Sequence, residues 1–117
     1  MNKSNKTVYR CYARCSTSQQ SDSGLGISGQ KSSCRNYVKS KNGRIVKWYV
    51  DEGISGTKNV DQRPALNKLI QDLKPNEVVL VAKRDRLARN TFLSLFIEKK
   101  ISKLHAVIES ADGAGNC

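Results

Sequence analysis

Hydrophobic positions change their period several times along the chain, and each change marks an element. Val8–Cys15 (VYRCYARC) and Arg44–Val50 (RIVKWYV) mix β-branched and aromatic residues with polar ones, as a pleated strand requires. Glu77–Ala82 (EVVLVA) is a short continuous apolar run, the pattern of a strand buried on both faces, and His105–Ser110 (HAVIES) reads as a fourth strand. Between these runs the period lengthens to that of a helix. Ile27, Cys34, Tyr37 and Val38 fall on one helical face. Leu66, Leu69, Ile70 and Leu73 follow the i, i+3, i+4, i+7 rule behind Pro64, a residue suited to a first helical turn, and Thr91–Lys100 carries Phe92, Leu95 and Phe96 in the same way.

Strands alternating with helices predict an α/β fold: a three-layer αβα sandwich around a mainly parallel sheet of four to five strands, joined by right-handed crossovers. Ligands of such sheets gather at the carboxyl ends of the strands. Those ends hold Arg14 to Thr17, Asp51 to Thr57 and Lys83 to Arg89, so three polar segments far apart in sequence are expected to meet at one edge. There is no internal repeat. Residues 1–7 are polar and expected to form a disordered tail before a single domain over 8–117.

A chain of 117 residues has room for one core. Its 21 Lys and Arg against 10 Asp and Glu give a net charge of +11, which favours a polyanionic partner. The cations are spread along the chain and do not stripe one amphipathic helix, so nucleic acid is preferred over a membrane surface. No apolar run approaches a spanning length and the N-terminus lacks the apolar segment of a signal peptide, so a cytoplasmic location is expected. Cys11, Cys15, Cys34 and Cys117 match no common zinc spacing; four strand steps from Cys11 to Cys15 cover about 13 Å, too far for one metal, and the cysteines read as small core residues. Neither metal nor cofactor is expected.

Candidate chemistry concentrates in Lys83-Arg84-Asp85-Arg86-Leu87-Ala88-Arg89. If this segment is helical, Arg86 and Arg89 share a face and can hold a phosphate by forked hydrogen bonds; a solvated basic helix start is the plain alternative. Arg14, inside an apolar strand, is expected to have an anionic partner, with Glu52, Asp85 and a substrate phosphate all open. Ser16 alone reads as a turn residue with Thr17 and Ser18. Beside an arginine cluster it has the electrostatics to attack a phosphodiester, because the guanidiniums offset charge developing on phosphorus. His105 is the single histidine and falls in the fourth strand, so a Ser-His-Asp triad is not expected. Gly24-Leu25-Gly26-Ile27-Ser28-Gly29 matches G-x-G-x-x-G, with Asp51 where a ribose-binding acid would stand, but Ser16 to Ser23 separate it from the first strand, and a dinucleotide site is the weaker alternative.

Taken together, Tyr12-Ala13-Arg14-Cys15-Ser16-Thr17, Asp51-Glu52-Gly53-Ile54-Ser55-Gly56-Thr57, Arg63-Pro64-Ala65-Leu66 and Asp85-Arg86-Leu87-Ala88-Arg89 resemble the catalytic domain of serine recombinases, the resolvase and invertase group, in order and spacing over residues 8–116. The resemblance implies site-specific cleavage of both strands of double-stranded DNA through a 5′-phosphoserine bond, subunit rotation and rejoining, with no metal or nucleotide cofactor. It implies Ser16 as nucleophile and Arg14, Arg86 and Arg89 around the scissile phosphate. Asp85 would serve in proton transfer or arginine positioning, Ser55 and Glu52 as supporting residues, and Tyr12 and Gln20 as neighbours; Lys83 and Arg84 are expected DNA contacts. Dimers and tetramers on DNA and a nucleoid-associated place in the cytoplasm follow from it. Two departures stand out. Cys15 replaces the usual β-branched residue, and the long dimerisation helix and DNA-binding domain that follow in the family are not expected within residues 8–117, as in a fragment of a longer protein or a truncated reading frame. The isolated chain is therefore expected to be monomeric or weakly dimeric, and a catalytically silent DNA-binding or regulatory module of the same fold is the alternative.

Overall fold

Strand β1 (Val8–Cys15) lies inside a four-stranded, all-parallel sheet, between β2 (Arg44–Glu52) and β3 (Val78–Val81), with β4 (Val107–Ser110) beyond β3. The computed structural model describes residues 6–15, 26–55, 57–88 and 90–113. Helices α1 (Ile27–Ser40), α2 (Pro64–Asp72), α3 (Arg84–Leu87) and α4 (Thr91–Lys103) connect the strands, with a short 3₁₀ turn at Val60–Gln62. The expected sandwich is found, with four strands.

Strand alternation sorts side chains to two faces. Tyr9, Cys11, Val78, Leu80 and Ala82 pack against Cys34 and Val38 of α1. Tyr12, Tyr49, Val79 and Val81 pack on the other face against Leu66 and Leu69 of α2 and Leu93, Ile97 and Ile101 of α4. Cys11 and Cys34 are free, fully buried core thiols as expected; a hydrogen bond with Cys34, then burial, pushes the Cys11 thiol up.

Helix α4 corrects one expectation. Its core face is Leu93, Ile97 and Ile101, whereas Phe92 is 85% exposed and Leu95 and Phe96 are also exposed. Both sets recur at helical spacing, so periodicity alone could not choose between them. His105 is the second correction. It precedes β4 and sits exposed in a turn with φ +64°. There it completes a C-terminal cap, in which its amide donates to the Ser102 carbonyl and the Ala106 amide to that of Ile101. Asn42 (φ +56°) closes α1 in the same way, with the Gly43 amide on the Val38 carbonyl. Gly43 is required there, because a Cβ would lie 2.3 Å from Cε1 of the Tyr9 ring.

The outer strands are blunt. Along β2 the register shifts between Tyr9 and Arg10, leaving Val46 without a Cα partner between exposed Arg44 and Lys47. Strand β4 is four residues long.

A polar chain also crosses the sheet. Arg10 donates to Glu77 at 2.7 Å and to the Tyr49 hydroxyl at 3.0 Å, and Tyr49 donates to Asp72 at 2.8 Å. Burial acts to raise the Glu77 pKa, but the Arg10 guanidinium and the Lys74 amide overcome it and hold the carboxyl below its usual range. A depressed folded pKa gives stability that is present above the unfolded value, about 4.3, and is lost as pH falls through the folded one. The melting temperature is expected to drop once pH goes below about 4. Glu77→Gln should flatten that acid limb in thermal melts followed by circular dichroism; an unchanged limb would remove Glu77 from the account.

Candidate functional site

Three arginines, Arg14, Arg63 and Arg86, and an aspartate are buried at the carboxyl edge of the sheet, where apolar side chains would be cheaper. Arg14 and Arg63 are 0% exposed and Asp51 is 3% exposed. Alternation explains why they meet. Tyr12 and Arg14 of β1 point to the α2 side, and Arg14 is the Cα partner of Asp51, which shares that face of β2.

Arg14 is fixed from three directions. Its Nε donates to the carbonyl of Arg86 at 2.9 Å, Nη1 to that of Ile54 at 2.9 Å and Nη2 to that of Asp85 at 3.1 Å. One side chain therefore joins the end of β1, the loop after β2 and helix α3, so the three predicted segments do converge. Sequence reading left Glu52, Asp85 and a phosphate open as anionic partners of Arg14; from Asp85 it is the main-chain oxygen that accepts, alongside the carbonyls of Ile54 and Arg86. Gln30 of α1 secures the same point through its side-chain amide, accepting from the Arg14 amide at 3.0 Å and donating to the Arg14 carbonyl at 2.9 Å.

Beside it runs a second network. Tyr12 donates its hydroxyl to Asp51 at 2.7 Å, and Arg63 donates to the Tyr12 oxygen through Nε and Nη2 at 3.3 and 3.0 Å. The same Nη2 reaches the Arg86 carbonyl at 3.0 Å, so that oxygen accepts from both Arg14 and Arg63. Asp51 also accepts from the Ala65 and Leu66 amides at 2.9 and 3.1 Å, which caps α2 from a neighbouring strand and sets a negative charge at its N-terminus. Burial pushes the Tyr12 hydroxyl pKa up despite the Arg63 cation, so it stays protonated as a donor.

Other predicted residues divide. Arg86 is buried in α3, with Nε 3.7 Å from a carboxylate oxygen of half-exposed Asp85. The Cys15 carbonyl accepts from the Gly53 and Ile54 amides at 2.9 and 3.2 Å, tying the strand end to the loop that carries Glu52 and Ser55. Glu52 is exposed, and the Ser55 hydroxyl meets that of Thr57 at 2.8 Å while accepting from the Thr57 amide. Of the two expected DNA contacts, Lys83 is exposed and Arg84 donates to Glu98 of α4 at 2.8 Å and to the Ile108 carbonyl of β4. Helix α3 ends at Leu87, and Ala88 is extended at φ −153°. Ser16, Gln20 and Arg89 lie outside the described residues.

Three residues of the networks were given no role at this site in the sequence reading. Arg63 entered only as part of the Arg63-Pro64-Ala65-Leu66 motif, with no role attached. Gln30 is the polar member of the core-facing helical set, the signal that could have found it. Asp51 had a role only in the dinucleotide alternative, and its engagement by Tyr12, Ala65 and Leu66 overturns that use. Among the described residues no group of three or more His, Cys, Asp and Glu stands together, and no helix is long and apolar enough to cross a membrane.

Known proteins resemble this chain in sequence and fold. Residues 10–116 match the family model described as "Resolvase, N terminal domain". The N-terminal catalytic domain of TP901-1 integrase superposes with a TM-score of 0.79 at 29% identity, over 91% of this chain and 79% of that one. The C-terminal catalytic domain of ISC1926 TnpA, an IS607-like serine recombinase, gives 0.73 at 28%, over 92% and 72%. A resolvase family site-specific recombinase from Streptococcus pneumoniae gives 0.73 at 24%, over 92% and 74%, a likeness of fold. No curated protein matches the sequence.

Proposed function

This chain belongs to the family of resolvase N-terminal domains, and we propose that it cleaves and rejoins double-stranded DNA at a specific site, with Ser16 as the nucleophile. The observation that carries the reading is the convergence on Arg14. One buried guanidinium binds the loop after β2 and the Asp85-Arg86 segment together, two residues before Ser16 in the chain.

The chemistry follows from that placement. The Ser16 Oγ attacks phosphorus and forms a P–O bond as the bond to the 3′ oxygen breaks. The serine proton is given up, the departing oxygen gains one, and a 5′-phosphoserine link remains. Phosphorus gains negative charge on the way, and guanidiniums answer it best because they stay ionised and bind phosphate by forked hydrogen bonds. Arg86 and Arg89 take that role, with Arg14 fixing the Arg86 backbone. Asp85, 3.7 Å from the Arg86 Nε, orients that side chain, and its exposure also leaves it placed for proton transfer. The covalent ester conserves the energy of the broken bond, so rejoining needs no nucleotide.

The test is adduct capture. The chain is incubated with a library of random-sequence duplexes, quenched in detergent, and any protein-linked DNA is sequenced while the modified peptide is mapped. A 5′-linked adduct on Ser16 is expected, with a shared crossover sequence. An adduct on another residue would overturn the assignment; DNA retained with no adduct anywhere would favour a silent binding module of the same fold.

A further inference from the structure

Helix α1 holds three cations one turn apart and no acid. Lys31, Arg35 and Lys39 fall at i, i+4 and i+8, so the expectation of scattered charge fails here: the three share a face. Like charges at this spacing repel, and among the described residues no ion pair involves α1. Two of them are gathered over one aromatic ring. The Lys31 Nζ lies 5.5 Å and the Arg35 guanidinium carbon 5.6 Å from the centre of the Trp48 ring on β2. The opposite face of α1, with Gln30, Cys34 and Val38, is buried on the sheet, so the helix has no apolar side left to enter a membrane.

Its position connects the row to the candidate active site. Gln30, the residue before Lys31, is bonded to the main chain of Arg14. The row therefore begins at the strand-end edge and runs back along the domain. At 1.5 Å per residue it covers about 12 Å, the axial length of roughly three to four phosphates of one DNA strand.

We propose that Lys31, Arg35 and Lys39, with Trp48 beneath them, form a second DNA-contacting surface that grips the phosphate backbone flanking the cleavage site. The proposal rests on the reading of the strand-end edge as a DNA-cleaving site. Phosphates relieve the repulsion within the row, and ordering of two cations by Trp48 lowers the cost of engaging them. The contact is independent of base sequence and adds affinity without touching the reacting phosphate.

Trp48 is the single tryptophan, so its emission reports this surface alone. The chain is titrated with a fluorescein-labelled duplex at several salt concentrations, following both anisotropy and tryptophan emission. The triple variant K31Q/R35Q/K39Q is expected to lower the slope of log K against log salt by about 0.9 per cation removed and to weaken binding on the order of a hundredfold at ~0.1 M salt. Its melting temperature should not fall, since the change removes repulsion. Wild-type Trp48 emission should change as duplex binds.

An unchanged slope in the triple variant, or unchanged Trp48 emission at saturation, overturns the surface. So does capture of phosphatidylserine vesicles with no capture of duplex. The two readings separate cleanly. A Ser16 adduct with an unchanged slope in the triple variant removes the α1 surface and keeps the active site, whereas a reduced slope with no Ser16 adduct does the reverse.

Discussion

Ser16→Ala is expected to abolish the covalent DNA adduct while leaving DNA affinity and the melting temperature unchanged. The nucleophile supplies the bond itself, so its removal eliminates the intermediate, unlike loss of a stabilising group, which slows a step by about 10²–10³. Affinity should hold because a neutral hydroxyl releases no counterions, and the salt slope should match wild type. Stability should hold because the strand end is tied by main chain: the Cys15 carbonyl receives the Gly53 and Ile54 amides, and alanine removes neither bond. Denaturing gels, salt titrations and thermal melts on one preparation read all three. An adduct of wild-type yield in Ser16→Ala would end the assignment.

Asp51→Asn should have the largest effect on stability, about 3 kcal/mol, or on the order of 10 °C in melting temperature. The carboxylate is 3% exposed and accepts from Tyr12, Ala65 and Leu66. Asparagine keeps one acceptor oxygen and turns an N–H group toward the remaining donors. A buried donor left unmet costs about 1–3 kcal/mol, and the lost charge at the N-terminus of α2 adds about 0.3–1 kcal/mol. The damage should spread, since Tyr12 loses its acceptor, Arg63 loses a fixed Tyr12, and the Arg86 carbonyl depends on Arg63. A shift in the urea midpoint equivalent to less than about 1 kcal/mol would show that water or a rotated Tyr12 restores the network.

The sheet was legible because its signals agree. EVVLVA carried the pattern of a strand covered on both sides, and Pro64 ahead of Leu66 and Leu69 marked a helix start. Convergence of the strand ends followed from topology alone. What failed was choice between equivalent patterns, and what stayed hidden was the set of main-chain acceptors around a buried charge. Helix α4 is apolar on two sides, and only packing against the sheet selects Leu93, Ile97 and Ile101. For Arg14 the sequence displayed only charged candidates, Glu52, Asp85 or a phosphate, while the carbonyls of Ile54, Asp85 and Arg86 are invisible in it. His105 was drawn into β4 by its apolar neighbours, although the chain needed a left-handed residue there to leave α4. Arg63 and Gln30 were missed for one reason: a long polar side chain in a core register looks like noise until its partners are known.

The blunt outer strands also bear on how the protein behaves in concentrated solution. A bare sheet edge is a template on which another extended chain can add, the first step toward fibrils. Here one edge is bent at Val46 and guarded by Arg44 and Lys47, and the other offers only four residues. With a net charge of +11 the molecules also repel one another. Any aggregates that form on heating should therefore be amorphous and should not seed ordered cross-β growth.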